Sequence, residues 1–198
     1  MSFKLSSARD QGQRGTCLSF ACSDAHRGTI SLDEPLSPDS LHLQAVALAG
    51  CNVADAISPM MAQAVLASPG QTTESAWPYN SITCLAQDPA YYRIITDFSA
   101  FSVDMIVAAL KNGNPVVLVL GIGEEFYEQY GLLTEDKIKP EEALHAIVIS
   151  GTKLENSIRW FHVRNSWGEG WGTAGYKWAT SAYLEKRSSL TLFFGGAT

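Results

Sequence analysis

A chain of 198 residues, 46% hydrophobic and 17% charged, has the length and apolar content for one globular domain with a sizeable core. Its net charge of −6 and pI near 5.1 repel phosphate backbones and anionic bilayers, so neither nucleic acid nor a membrane is expected as a partner. No apolar stretch approaches the roughly 20 residues of a membrane span, and the opening "MSFKLSSARDQG" lacks the apolar core of a secretory signal; the chain reads as cytoplasmic and unexported.

In chain order, "CLSFACSDAHRGT" predicts a largely buried helix from Cys17 to about Thr29, with Gly28 at its end. Ser37, Pro38 and Asp39 form a helix start, and the apolar spacing that follows runs to a stop at Gly50. "ISPMMAQAVLASPG" repeats the pattern with Pro59 early in the helix. After the polar loop "TTESAWPYN" the character changes. "YYRIITDFSAF" (91–101) reads as a strand, "SVDMIVAALKNG" as a capped helix and "PVVLVLGIG" as a continuous buried strand. "EEFYEQYGLL" is a short helix or turn; "HAIVISG", "IRWFHVRNSW", "GYKWAT" and "LTLFF" are further strands. The sum is α+β, with a helical first lobe of about residues 1–90 and a mainly antiparallel second lobe of about 91–198. A cleft between two such lobes is a usual substrate site.

Cys17, Cys22, Cys51 and Cys84 are too few and too scattered for a disulfide framework, and the four histidines do not bracket them at zinc-site spacing. No metal is expected. Cys17 stands out because it begins a helix, where unsatisfied N–H groups and the helix dipole favour thiolate over thiol. Gly12 and Gly15 allow a tight turn and close substrate approach, and the Gln11 amide is a donor that such a turn could hold beside the sulfur. Taken alone, the stretch fits a small buried cysteine after a glycine loop as well as a nucleophile. A thiol nucleophile also needs a histidine base and a group to orient it, and "EEALHAIVISG" and "VRNSWGEGWGTAGY" offer His145 and Asn165.

These three stretches resemble the motifs of the papain family of cysteine peptidases: "QGQRGTCLSF" its nucleophile motif, "LHAIVISG" its histidine strand and "NSWGEGWGTAGY" its asparagine motif. "ESAWPYN" resembles the family's "YPY" segment. His145 and Asn165 follow Cys17 by 128 and 148 residues, close to the family's spacing of roughly 130 to 150. The resemblance implies a single papain-like catalytic domain over 1–198, with a helical N-terminal lobe, an antiparallel β-barrel-like C-terminal lobe and the active site in the cleft between them. It implies Cys17 as nucleophile in a Cys⁻/His⁺ resting pair, His145 as general base and acid, Asn165 as its orienting residue and Gln11 as oxyanion donor. Trp167, counted with the substrate-binding residues, would shield the Asn165–His145 hydrogen bond from water. Pro59 and Met60, beside Ser58, would wall the main specificity pocket, with Ala143 and Leu144 opposite, favouring an apolar substrate side chain. No cofactor is implied.

The chain also departs from the family. Arg14 stands where the family has a cysteine whose disulfide anchors the nucleophile loop, Leu18 replaces an aromatic residue, and Ala56 and Ile57 replace a Gly-Gly pair. Cys51 and Cys84 fall close to a pair that family members bridge, although a reducing compartment favours free thiols. Only ten residues precede Gln11, too few for the family's inhibitory pro-segment. Control would then rest on narrow specificity, an inhibitory or immunity protein, delivery into another cell, or a larger parent protein. Gly121-x-Gly123 mimics a dinucleotide loop, but Phe126 replaces the third glycine and Glu124 and Glu125 repel phosphate. "TEDKIKPEE" reads as a solvated loop beside His145. The expected activity is hydrolysis of peptide or isopeptide bonds in a protein or peptide substrate. Acyl transfer by the same thioester chemistry and a catalytically silent peptide-binding module are the alternatives.

Overall fold

The computed structural model describes residues 5–195; residues 1–4 and 196–198, the outer ends of the two expected lobes and the start of the stretch compared with a secretory signal, lie outside it. Helix α1 spans Cys17–Thr29. Helix α2 spans Pro38–Ala49, capped by the Ser37 side chain accepting from the Ser40 N–H and ended by Gly50 in the left-handed region. Helix α3 spans Pro59–Ala67, capped by Ser58 accepting from the Met61 N–H. Each begins where a hydroxyl and a proline, or the nucleophile loop, set the first turn. Helix α4 spans Val103–Lys111 under a Ser102 cap.

Six strands form one antiparallel sheet in the order β1-β6-β2-β3-β4-β5. They are β1 (Thr96–Ser99), β2 (Val116–Ile122), β3 (Ala143–Glu155), β4 (Ile158–Arg164), β5 (Tyr176–Thr180) and β6 (Ser188–Phe194). The expected strand over 91–101 shrinks to four residues. Its first part is held elsewhere, since Tyr92 exchanges backbone hydrogen bonds with Gln71 (2.8 and 2.7 Å) and Ile94 N–H donates to Leu66 (3.0 Å).

The sheet is open, which corrects the barrel-like expectation. Its strands alternate between two apolar clusters, so neither face needs to close on itself. Val117, Ala146, Val148 and Leu192 pack with Leu18, Ala21, Leu41 and Leu66 of α1–α3. Val116, Leu118, Ile147, Ile149 and Phe161 pack with Ile106 and Leu110 of α4 and with Tyr183 and Leu184 of α6 (Ser181–Arg187). Each such side chain taken from water contributes roughly 1.5–3 kcal/mol. Helix α6 was not foreseen. Its signal is Thr180, whose hydroxyl accepts from the Tyr183 N–H, followed by a run of good helix formers.

The glycine pair after β2 has a packing reason. A Cβ on Gly121 would lie 2.2 Å from the Glu141 carboxyl carbon, and one on Gly123 would lie 2.5 Å from the Pro140 carbonyl oxygen. The loop leading to His145 therefore lies over these glycines where a phosphate was considered. Helix α5 (Glu124–Tyr127) follows, anchored by buried Glu125, which accepts from Arg187 (2.7 Å) and from the Tyr183 hydroxyl (2.9 Å). Among the described residues, no helix is long and apolar enough to cross a membrane.

Candidate active site

Cys17 is the first residue of α1 and is partly exposed. The loop before it turns through Gly12, at φ 61°, while the Asp10 carboxylate accepts from the Gly12 N–H at 2.8 Å. Gly15 plays a lesser part than expected: its φ is not in the left-handed region, and a Cβ there would make an ordinary 3.6 Å contact with Ala56. The turn brings residues 9–11 alongside 166–168. Gln11 N–H donates to the Ser166 carbonyl (2.8 Å), Gly168 N–H donates to the Arg9 carbonyl (3.0 Å), and Asp10 pairs with Trp167.

Gln11 is buried, and both ends of its side-chain amide are engaged. Ser166 Oγ–H donates to Oε1 (2.6 Å), and Nε2 donates to the Arg14 carbonyl (2.7 Å). One Nε2 hydrogen is left to point elsewhere. The Tyr79 hydroxyl donates to the Gln11 carbonyl at 2.6 Å, so the "WPY" segment is part of the loop's support.

His145 and Asn165 reach each other from adjacent strands. Along β4, Val163 faces the α4–α6 cluster and Arg164 the α1 side, which returns Asn165 to the side that His145 shares with Ile147. Asn165 Oδ1 accepts from His145 Nε2 at 2.7 Å and from the Ser166 N–H at 2.8 Å. Since a backbone N–H can only donate, the shared amide atom must be oxygen and Nε2 must carry the proton. In the neutral ring, Nδ1 is then the free base. The Cys17 sulfur meets the backbone N–H of Ala146, the residue after His145.

Aromatic rings enclose the histidine. Trp167 lies 4.8 Å from the His145 ring and Phe126 5.7 Å, while Tyr127 stacks on Trp167 at 5.2 Å and 14°. Trp171 Nε1–H donates to the Phe126 carbonyl at 2.8 Å, fixing α5 against this cluster. Phe126 and Tyr127 were not singled out for the site from the sequence; their signal is an aromatic pair in the segment that crosses back toward the histidine strand.

Burial dominates the titration of both reactive groups. It pushes the Cys17 thiol up, against backbone hydrogen bonds from Ala146, Leu18 and Cys17 itself. It brings His145 down to about 4, with the Asn165 hydrogen bond pulling the other way. Burial acts on each group in the direction of its neutral form.

The expected pocket residues are more loosely assembled. Pro59 opens α3 half-buried, whereas Met60, Ala143 and Leu144 are exposed, the last two at the mouth of β3. Cys51 and Cys84 are free, as are Cys17 and buried Cys22. Beneath the site, Asp24 of α1 is buried between Arg164 (2.7 Å) and Arg9 (2.7 Å), and Arg9 also pairs with Glu74. This network ties α1, which begins at Cys17, to β4 just before Asn165. The two guanidinium groups hold Asp24 below the usual carboxylate range despite burial, which opposes them most strongly.

Comparison with known proteins bears on the family and the fold. Residues 2–186 match the model of the papain family cysteine proteases. The chain is 25% identical over 185 residues to cysteine proteinase 3 of Dictyostelium discoideum, covering 85% of this chain and 53% of the relative. It is 24% identical to procathepsin L of Rattus norvegicus, covering 85% and 54%. The chain thus spans about half the length of these relatives. Among solved structures it resembles procathepsin L 3 of the Tenebrio molitor larval midgut, with a TM-score of 0.80, 21% identity and coverage of 97% of this chain and 67% of the other. It also resembles xylellain, a cysteine protease from Xylella fastidiosa, with a TM-score of 0.76, 20% identity and coverage of 97% and 83%. With a family match over nearly its whole length, the chain belongs to the papain family of cysteine proteases.

Proposed function

We propose that this chain hydrolyses peptide or isopeptide bonds through an acyl-enzyme on Cys17. The observation that carries the reading is the orientation of His145: Nε2 is committed to Asn165, which leaves Nδ1 as the base nitrogen, and the next residue, Ala146, presents its backbone N–H toward the Cys17 thiol. His145 takes the thiol proton as sulfur attacks the carbonyl carbon, then returns it to the departing amine. Water, deprotonated by His145, attacks the thioester; the C–S bond breaks and the sulfur recovers its proton. The carbonyl oxygen, negative in each tetrahedral intermediate, receives hydrogen bonds from the remaining Gln11 Nε2–H and the Cys17 N–H at the start of α1. Asn165 keeps the ring in the productive tautomer, and Trp167 keeps water off that hydrogen bond.

The substrate in this reading is a protein or peptide with an apolar side chain set between Pro59 and Met60 on one side and Ala143 and Leu144 on the other. An inhibitory or immunity protein is the matching class of regulatory partner, and a cytoplasmic site of synthesis accompanies it. The test is digestion of a peptide library by the wild type and by Cys17→Ala, with product masses read with and without added amine. Cleavage by the wild type alone supports the reading. Amine-bearing products in place of acids convert it to acyl transfer, and no turnover by folded wild type overturns it.

A further inference from the structure

We propose that Arg14 is a positioning residue for this reaction, holding the Gln11 amide at the oxyanion through its own backbone carbonyl while its side chain pins the loop to α2. The inference rests on the reading of Gln11 as oxyanion donor. Its basis is a set of contacts converging on one turn. The Arg14 carbonyl accepts from Gln11 Nε2 at 2.7 Å. The Arg14 guanidinium donates through Nη1 to Asp39 Oδ2 (2.9 Å) and brings Nη2 within 2.7 Å of Oδ1. Asp39 is fully buried in the first turn of α2 and also accepts from the Asn80 N–H at 2.6 Å. The guanidinium lies 4.8 Å from the Tyr79 ring centroid, and the Tyr79 hydroxyl donates to the Gln11 carbonyl.

The turn from Gln11 to Thr16 is therefore clamped at two backbone carbonyls and one side chain, all leading back to Arg14, Asp39 and Tyr79. A planar guanidinium suits this role: it meets both carboxylate oxygens while lying over a ring, which an ammonium on a flexible stem does not. Asp39 sits in the first turn of α2, at the end of the helix dipole that favours a carboxylate. Where the family resemblance leads one to expect a disulfide anchor, this loop is held by an ion pair. If the pair is released, the Arg14 carbonyl moves, and the Gln11 amide loses one of the two partners, with Ser166, that fix its direction. The nucleophile itself is untouched, because Cys17 is held by α1.

The experiment is a mutant cycle on kcat and KM for a peptide cleaved by the wild type, with Cys17 alkylation by iodoacetamide measured in parallel. Arg14→Met is expected to lower kcat roughly tenfold, less than full loss of an oxyanion donor, with KM and alkylation rate unchanged. Arg14→Lys recovers part of that loss. Asp39→Asn, which leaves no unpaired buried charge, reproduces it in a variant whose folding is verified by circular dichroism. In a Gln11→Ala background, Arg14→Met adds less than twofold. If Gln11→Ala keeps full activity, the oxyanion reading fails and takes this inference with it. If Gln11→Ala loses activity but the Arg14 and Asp39 variants keep it, or if the losses multiply in the double variant, the positioning role alone is overturned.

Discussion

The Ser166 hydroxyl donates to Gln11 Oε1 at 2.6 Å, joining residues 155 positions apart at the centre of the site. Because Ser166 also gives its backbone N–H to Asn165 Oδ1, one residue orients both amides that the proposed chemistry needs. A lost hydrogen bond of this kind is worth about 1 kcal/mol, or roughly fivefold in rate if it acts on the transition state. Ser166→Ala is expected to reduce kcat by about that factor and leave KM nearly unchanged, since the backbone half of the arrangement survives. Steady-state kinetics check it; a loss confined to KM would mean that Ser166 serves substrate binding instead.

The helices were legible because their ends are marked locally: Ser37 and Pro38, Ser58 and Pro59, and Ser102 each start one, and Gly50 stops one. The three residues of the proposed triad were legible from motif spacing, and the structure joins His145 to Asn165 by a direct hydrogen bond. What the sequence hid is non-local. Whether a sheet closes depends on what covers its second face, and α6 supplies part of that cover from about 20 to 70 residues further along the chain than the β2, β3 and β4 residues it packs with. Arg14 read only as a missing cysteine, because its partner Asp39 lies 25 residues away and looked like an ordinary helix-start acid. The burial that raises Cys17 and lowers His145 was equally hidden, since no short motif reports it.

These shifts give a second prediction. Burial raises the thiol and lowers the imidazole, and each shift favours the neutral form. Alkylation of Cys17 by iodoacetamide is then expected to climb only above the ordinary thiol range and to be slow at pH 5, because only thiolate reacts. Mapping the label by mass spectrometry while varying pH checks it. A fast plateau already at pH 5 would establish the ion pair that motif resemblance implied.

Acid should weaken the fold before the carboxylates titrate. His26 is fully buried in α1, sharing a 3.0 Å hydrogen bond between its Nδ1 and Gln71 Oε1, and burial lowers it to about 4; His145 is lowered similarly. Below about pH 6.5 the unfolded chain binds protons that the folded chain refuses, so stability falls as pH drops from 6.5 toward 4. The loss approaches about 3 kcal/mol for each histidine at pH 4. Thermal denaturation across that range should show a falling Tm, and His26→Gln should remove about half the slope. A flat Tm between pH 6.5 and 4 would contradict both shifts.

Lys177 carries the same sign into the alkaline range. Its residue is 4% exposed, its ammonium donates to the carbonyls of Phe126 and Glu128, and it lies 4.4 Å from the Trp171 ring centroid. Burial lowers it to about 8, with Glu128 pulling it up and Lys137 pushing it further down. Between pH 8 and the unfolded value near 10.4, the unfolded chain binds the extra proton, so stability rises with pH across that window. At pH 7 the folded protein carries the full cost of a buried ammonium. Lys177→Met, which fills the same space without the charge, is expected to raise Tm at pH 7, with the gain shrinking as pH climbs toward 10. Activity should survive, because Trp171 Nε1–H still holds the Phe126 carbonyl at 2.8 Å and keeps α5 against the His145 ring. A lower Tm in Lys177→Met at pH 7 would mean that the two carbonyls and the indole face more than repay the burial of the charge.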